Sequence, residues 1–115
     1  MYESISFLNQ SKIILQIEVL ELIDEQSVQS IKIRAELIDG SSFCIHETMS
    51  ERGYKYSYHW QDKDGKLLLR WDNASHYKEI ETFSHHKHVG EFIEASAKVS
   101  IEKALECIEV EIRKK

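Results

Sequence analysis

The chain has 115 residues, of which 42% are hydrophobic and 30% are charged, and its formal net charge is −5. These values are typical of one globular domain, here residues 1–115, and they exclude a largely disordered chain. The negative charge argues against broad nonspecific nucleic-acid binding, which requires clustered basic residues. No apolar run is long enough for a transmembrane helix, and the N-terminus lacks a signal-peptide pattern. We therefore expect a cytoplasmic protein without membrane contact.

Alternation of apolar and polar residues predicts five antiparallel strands in the first two thirds of the chain. They cover residues 12–25, 28–39, 41–49, 54–61 and 66–73. In the first strand, alternation assigns Ile13, Leu15, Ile17 and Val19 to one face. Asp39-Gly40 and Asp64-Gly65 are dipeptides that favour tight hairpin turns. A further short strand is compatible with residues 79–83.

The end of the chain predicts a helix, because Ser100 is a suitable N-cap and apolar residues follow at helical spacing. The predicted fold class is therefore α+β: an antiparallel meander sheet of five or six strands packed against a C-terminal helix. Residues 3–9 allow a short N-terminal helix. The predicted core consists of Ile13, Ile17, Ile31, Ile33, Leu37, Tyr56, Leu69, Leu105 and Ile108.

Two residue sets admit contrasting interpretations. Cys44 and Cys107 lack the spacing of a zinc or redox motif, which favours two buried, reduced thiols. Aromatic residues share one face of the fourth predicted strand, where they either pack in the core or against a partner, or stack nucleic-acid bases: Tyr54, Tyr56, Tyr58 and Trp60.

Histidine is concentrated in one segment, since residues 72–88 hold four of the six histidines of the chain. Histidine changes protonation near neutral pH, so such a cluster indicates proton transfer, metal binding or anion contact. In an extended segment, His86 and His88 share one side, while His85 and Lys87 take the other. Arg70 and His59 lie on the strand faces opposite the aromatic residues and can join this cluster.

Three interpretations of the cluster remain open from spacing alone. In the first, His76, His86 and His88 supply the acid and base that cleave a phosphodiester, and Asp72 orients one imidazole. The ribose 2′-hydroxyl is then the nucleophile and no cofactor is needed; the substrate-binding residues are Arg70, Asn73, His85, Lys87 and His59. In the second, His76, His86 and His88, with Asp72, bind a divalent transition metal. In the third, the histidines are structural.

Several motifs carry a family resemblance: YSYHWQ, RWDNA, TF-x-HHKH, IRAELIDGS and VS-x-E-x-A-L. With them the chain resembles the TumE-type toxin family of prokaryotic type II toxin–antitoxin systems. The family pattern reads DNAPHH followed by TFPHHKH. This sequence departs from it at three positions, with Ser75 and Ser84 in place of proline and Tyr77 in place of the second histidine.

The resemblance implies a growth-inhibiting toxin neutralised by a cognate antitoxin, a helix-turn-helix protein encoded beside it. RNA as the target, and metal-independent cleavage, are inferred from the histidines. The alternative is a noncatalytic module that binds a protein, a metal or a nucleotide through the aromatic sheet face and the histidine segment. Association into a homodimer also stays open.

Overall fold

The sheet of this protein is a simple meander. The structure is a computed structural model and describes residues 3–73, 86–90, 92–95 and 99–114. Its elements are α1 (Glu3–Gln10), β1 (Ile14–Asp24), β2 (Val28–Leu37), β3 (Ser42–Ser50), β4 (Gly53–Gln61), β5 (Leu67–Asp72), β6 (His86–Val89), β7 (Phe92–Ala95) and α2 (Ile101–Arg113). The strands form one antiparallel sheet in chain order, β1 to β7.

The predicted α+β class, the meander and both helices are confirmed. The sheet extends to seven strands, because β6 and β7 form a hairpin that pairs with β5. The predicted hairpin turns contain Gly40 and Gly65, whose φ angles of 85° and 87° suit glycine best. The further strand predicted at residues 79–83 lies outside the described residues.

One face of the sheet, together with helix α2, forms the core. Alternate residues of β2 to β5 are buried on this face: Ile31, Ile33, Ala35, Leu37, Phe43, Ile45, Tyr56, Tyr58, Trp60, Leu69 and Trp71. Burial of Tyr56, Tyr58 and Trp60 decides between the interpretations of the aromatic strand. Their side chains pack in the core, so they do not form a surface for stacking bases or binding a partner.

Ser100 is the N-cap of helix α2, and its hydroxyl accepts a hydrogen bond from the Lys103 backbone N–H at 3.2 Å. This bond satisfies one of the backbone donors that a helix start leaves without a partner in the helix. The apolar residues of α2 are buried in the same cluster as the sheet residues: Ile101, Ala104, Leu105, Ile108 and Ile112. The predicted packing of this helix on the sheet is thereby confirmed.

Helix α1 is fixed to the core side by apolar packing and by a polar contact. Leu8 is fully buried in the core. The hydroxyl of Ser4 donates to the buried carboxylate of Glu47, which also accepts a hydrogen bond of 2.8 Å from the Tyr54 hydroxyl. A buried carboxylate requires such donors, and burial together with the Tyr58 hydroxyl raises the pKa of Tyr54 well above its ordinary range.

Strand β1 differs from its prediction. Its pairing with β2 shifts between Ile14 and Gln16 and again between Val19 and Glu21, as at β-bulges. Leu15 lies within the first shift and is exposed. Ile17 and Val19 pair with the core residues Ala35 and Ile33, yet on this edge strand Ile17 is only half-buried and Val19 is exposed. The prediction that Ile17 is largely buried in the core was therefore wrong. The other eight predicted core residues are buried.

The two cysteines are free thiols, as expected, but they are not both buried. Cys44 is half-buried, and Cys107 is exposed on α2 beside the exposed Val110. The helical spacing explains this, because the buried stripe of α2 is carried by Ala104, Leu105 and Ile108.

Candidate functional site

The face of the sheet opposite α2, here called the polar face, gathers the candidate residues. In one row across the strands, the register aligns His46 with Ser57 and Ser57 with Asp72. In the adjacent row, His59 is paired with Arg70, and Arg70 with His88. Side chains alternate along a strand, so the buried Tyr58 and Trp71 fix these polar residues on the other side of the sheet.

Asp72 is the centre of this arrangement. Its side chain is 6% exposed, and its Oδ2 atom accepts a hydrogen bond of 2.9 Å from Arg70 Nε. The same oxygen lies 3.4 Å from Nε2 of His88, whose side chain is 17% exposed. A buried carboxylate is costly unless a cation or hydrogen-bond donors accompany it. Asp72 therefore holds Arg70 and His88 in fixed positions beside each other.

His59 is bound on both of its ring nitrogens. Arg70 can only donate, so His59 Nδ1 accepts the 3.1 Å hydrogen bond from Arg70 Nη1. The proton is therefore on Nε2, which lies 3.1 Å from the Gln61 side-chain oxygen. Burial, and secondarily the Arg70 charge, lower the pKa of His59, while the bond to Gln61 opposes this. His59 is thus a neutral support for Arg70, and both ring nitrogens that a substrate could contact are already used.

Asn73 uses its amide to extend the sheet. Its Oδ1 accepts a 2.9 Å hydrogen bond from the Tyr56 backbone N–H, and its Nδ2 donates a 2.8 Å bond to the Tyr54 backbone carbonyl. The side chain thereby replaces one step of backbone pairing where β5 ends. The predicted substrate-binding residue has a structural role in these contacts.

Lys87 is separated from Arg70 and His88 by the sheet. It is paired with Trp71, and its Nζ atom lies 5.5 Å from the centroid of the buried Trp71 ring. It lines a hollow of about 590 Å³ together with Trp60, Cys107 and Val110 on the side of α2. The sequence prediction that Lys87 and His88 lie on opposite sides is confirmed, and the structure does not bring Lys87 to the phosphate-binding position predicted for it.

The remaining predicted histidines are described only in part. The backbone of His86 pairs with Asp72, which places this residue in the row of Ser57 and Asp72. His76 and His85 lie outside the described residues. Among the residues that are described, no group of three metal-ligating side chains is close enough to hold an ion. In the alternative ligand set of His76, His86 and His88, the side chains of His76 and His86 lie outside the described residues, so this result does not test the set.

A comparison with models of known families shows to which family the chain belongs. The model of the family described as Toxin TumE matches residues 5–115. The chain belongs to the TumE toxin family. Membership confirms the resemblance carried by the RWDNA and HHKH segments, and a toxin of this kind implies a cognate antitoxin. Neither the curated proteins nor the solved structures contain a match. Of the helices that the structure describes, neither is long and apolar enough to cross a membrane.

Sequence reasoning missed the residues beside Asp72 on strands β3 and β4. A depression of about 220 Å³ lies there, lined by His46, Thr48, Lys55, Tyr56, Ser57, Arg70, Asp72 and Asn73. Alternation in β4 places Lys55 and Ser57 opposite the tyrosines, but it does not show which strand lies beside them. Only the pairing of Ser57 with Asp72 brings them to the site, and that pairing depends on the register of the β4–β5 hairpin.

Proposed function

We propose that this chain is the toxin of a toxin–antitoxin pair and cleaves RNA by histidine acid–base catalysis on the polar face. The observation that carries the proposal is the buried carboxylate of Asp72, which lies within 3.4 Å of both an arginine and a histidine. A histidine held by a carboxylate and placed beside a guanidinium is suited to moving a proton next to a phosphate group.

The reaction begins when a neutral imidazole removes the proton of the ribose 2′-hydroxyl. The 2′-oxygen then attacks phosphorus, the bond from phosphorus to the 5′-oxygen breaks, and a protonated imidazole gives its proton to that oxygen. The products are a 2′,3′-cyclic phosphate and a 5′-hydroxyl. His88 supplies one imidazole of the pair, and His86 or His76 supplies the other. The nucleophile belongs to the substrate, so these steps require no metal.

Asp72 and Arg70 have different tasks in this proposal. A carboxylate beside Nε2 of His88 favours a proton on that nitrogen and fixes the orientation of the ring. Arg70 has five N–H donors, of which one binds Asp72 and one binds His59. The others can face the phosphate, because the Arg70 side chain is 34% exposed. There they offset the negative charge that grows on phosphorus during attack.

Cleavage of an end-labelled RNA by the purified chain tests this function. We expect a rate that rises and then falls with pH, cyclic phosphate ends, and full activity with a chelator present. His88→Ala should lower the rate by about 10²- to 10⁴-fold while leaving the thermal unfolding temperature nearly unchanged. Lys103→Ala is the control, since Lys103 is an exposed residue of α2, on the other side of the sheet.

Two results would replace the proposed chemistry. A folded His88→Ala variant with undiminished cleavage and toxicity would remove His88 from the reaction. Cleavage that stops with a chelator and returns with a transition metal would instead identify the histidines as metal ligands.

The partner proposed for this toxin is a helix-turn-helix antitoxin encoded beside it. Burial of Tyr56, Tyr58 and Trp60 removes the aromatic face that the sequence offered as its docking surface. Co-expression should restore growth, and the two proteins should co-purify. Growth inhibition that persists in the presence of the neighbouring gene product would refute this partner.

A further inference from the structure

The polar face continues past the Asp72 site to strand β2, where two more cations lie in register with it. Lys32 pairs with His46, which leads through Ser57 to Asp72. Arg34 pairs with Cys44, and the same row then contains His59 and Arg70. The two rows therefore run side by side across the sheet from β2 to β5.

Both additional cations are accessible. Lys32 and Arg34 are exposed, and among the described side chains no carboxylate oxygen lies within 4.0 Å of either charged group. Their charges also act on the Cys44 thiol: burial raises its pKa, and Arg34 and Lys32 oppose that rise. The pairing of Arg34 with Cys44 places these two residues side by side on β2 and β3.

Beyond these cations the face becomes acidic. Strand β1 places Glu18 beside Arg34 and Glu21 beside Lys32, and Glu21 lies 4.0 Å from His46. From β2 to β5, by contrast, the rows carry three cations and only the buried Asp72 carboxylate: Lys32, Arg34 and Arg70. In a chain with a net charge of −5, this is a local positive strip with an acidic boundary at β1.

We propose that this strip binds the backbone of single-stranded RNA and that Lys32 and Arg34 form a second phosphate-binding position, remote from the bond that is cleaved. The inference rests on the proposed function, because it takes the Arg70 and Asp72 end of the strip as the cleavage site. Three strand spacings separate β2 from β5, which is about 14 Å. One phosphate group cannot reach both ends, so the second position contacts a different nucleotide.

The surface favours backbone contacts over reading of the bases. Stacking requires exposed aromatic rings, and those of β4 and β5 lie on the other side of the sheet, where Tyr54 is half-buried and the other four are buried: Tyr56, Tyr58, Trp60 and Trp71. Binding through phosphates tolerates many sequences and weakens as the salt concentration rises. A single strand is favoured because the 2′-oxygen, phosphorus and 5′-oxygen must come into line, which the A-form duplex geometry opposes.

Substrates of different lengths test the two ends of the strip separately. A dinucleotide contains only the phosphate that is cleaved, whereas an oligonucleotide of about ten residues has the length of the sites that single-strand-binding folds cover. For the oligonucleotide, Lys32→Gln and Arg34→Gln should each lower kcat/KM about two- to fivefold. For the dinucleotide, both variants should match the wild type. The matched control is Lys103→Gln, an exposed cation of α2 outside the strip.

Salt dependence provides a second measurement. For a single strand, each lost phosphate contact reduces the slope of log affinity against log salt by about 0.7. The double variant Lys32→Gln/Arg34→Gln should therefore have a shallower slope than the wild type, and Lys103→Gln should not. Thermal unfolding of each variant confirms that the sheet is intact.

The outcomes distinguish this inference from the function on which it rests. If the wild type cleaves both substrates and the double variant keeps full oligonucleotide activity and the wild-type slope, the second position is refuted and the cleavage site stands. Equal cleavage of a duplex would refute the single-strand preference. If the wild type cleaves no RNA at all, the proposed function fails and this inference fails with it.

Discussion

Asn73 offers the most direct test of how β5 is fixed to β4. Its side chain makes two hydrogen bonds to the backbone of β4, one to the Tyr56 N–H and one to the Tyr54 carbonyl. These bonds lie at the end of β5, next to Asp72 of the candidate site. Asn73→Ala removes both bonds and leaves the β4 backbone groups without these partners.

The expected loss of stability follows from the two bonds. Each contributes about 0.5–1.5 kcal/mol, so removing both should lower the free energy of unfolding by about 1–3 kcal/mol. Asn73 is half-buried, and water can replace part of what is lost, so we expect about 2 kcal/mol. A chain of this length has an unfolding entropy of about 240 cal/mol/K, and the unfolding temperature should therefore fall by about 8 °C.

Thermal unfolding and urea titration of purified variants measure this change. The matched control is the other asparagine of the chain, Asn9, which is exposed at the end of α1 and makes no side-chain hydrogen bond to a described residue. Asn9→Ala should change stability by less than about 0.5 kcal/mol. Asn73→Asp keeps an acceptor for the Tyr56 N–H but places a negative oxygen against the Tyr54 carbonyl, so it should not restore stability. An Asn73→Ala variant as stable as Asn9→Ala would refute the structural role of this amide.

Two further predictions concern the core and the pH dependence of stability. Leu105→Ala, in the buried stripe of α2, should cost about 2–5 kcal/mol in urea unfolding, whereas Val110→Ala, at a residue that is 54% exposed, should cost under about 0.5 kcal/mol; equal costs would contradict the packing of α2 on the sheet. Burial and Arg70 lower the pKa of His59, so below its ordinary value of 6.5 the unfolded chain takes up a proton before the folded one does. The stability that His59 contributes is thus complete above about pH 6.5 and is lost as the pH falls through the folded pKa. Urea unfolding between pH 7.5 and 5.5 should show a steeper loss for the wild type than for His59→Gln, which cannot titrate; parallel curves would contradict this assignment.

The sequence predicted the fold correctly where a strand has one buried face, one solvent-exposed face and no β-bulge. In β2, strict alternation identified Ile31, Ile33 and Leu37 as core residues, and all are buried. The helix cap at Ser100 and the spacing of Leu105 and Ile108 likewise predicted α2 correctly. In each case a local period coincides with burial, because the pattern repeats without interruption.

The prediction failed at β1 for a physical reason. A bulge adds a residue to one strand and exchanges the two faces from that point on. Leu15 lies within the shift between Ile14 and Gln16 and is exposed, and Val19 is exposed on the edge strand although it pairs with the core residue Ile33. Alternation can show that a strand exists, but it cannot locate a bulge that depends on the partner strand.

The candidate site was predicted by residue type more successfully than by position. Asp72, Arg70, His59 and His88 were all named from the sequence, and strand pairing brings them onto one face. Which of these residues contact each other was not predictable, because the contacts depend on which residues of β4, β5 and β6 lie opposite each other. Pairing across the 72–86 connection is nonlocal, and no period within either segment determines it.

The register that forms the core also forms the site. Trp71 is buried between Arg70 and Asp72, so its position in the core forces both neighbours onto the polar face. A slip of one residue would place the Asp72 carboxylate in the core and Trp71 in water. The β4–β5 pairing shifts between Trp60 and Gln61, on the turn side of the His59–Arg70 pair, so the pairs from Trp60 back to Ser57 keep one register. Burial of a tryptophan on one side of this strand thus fixes the distance between arginine, carboxylate and histidine on the other.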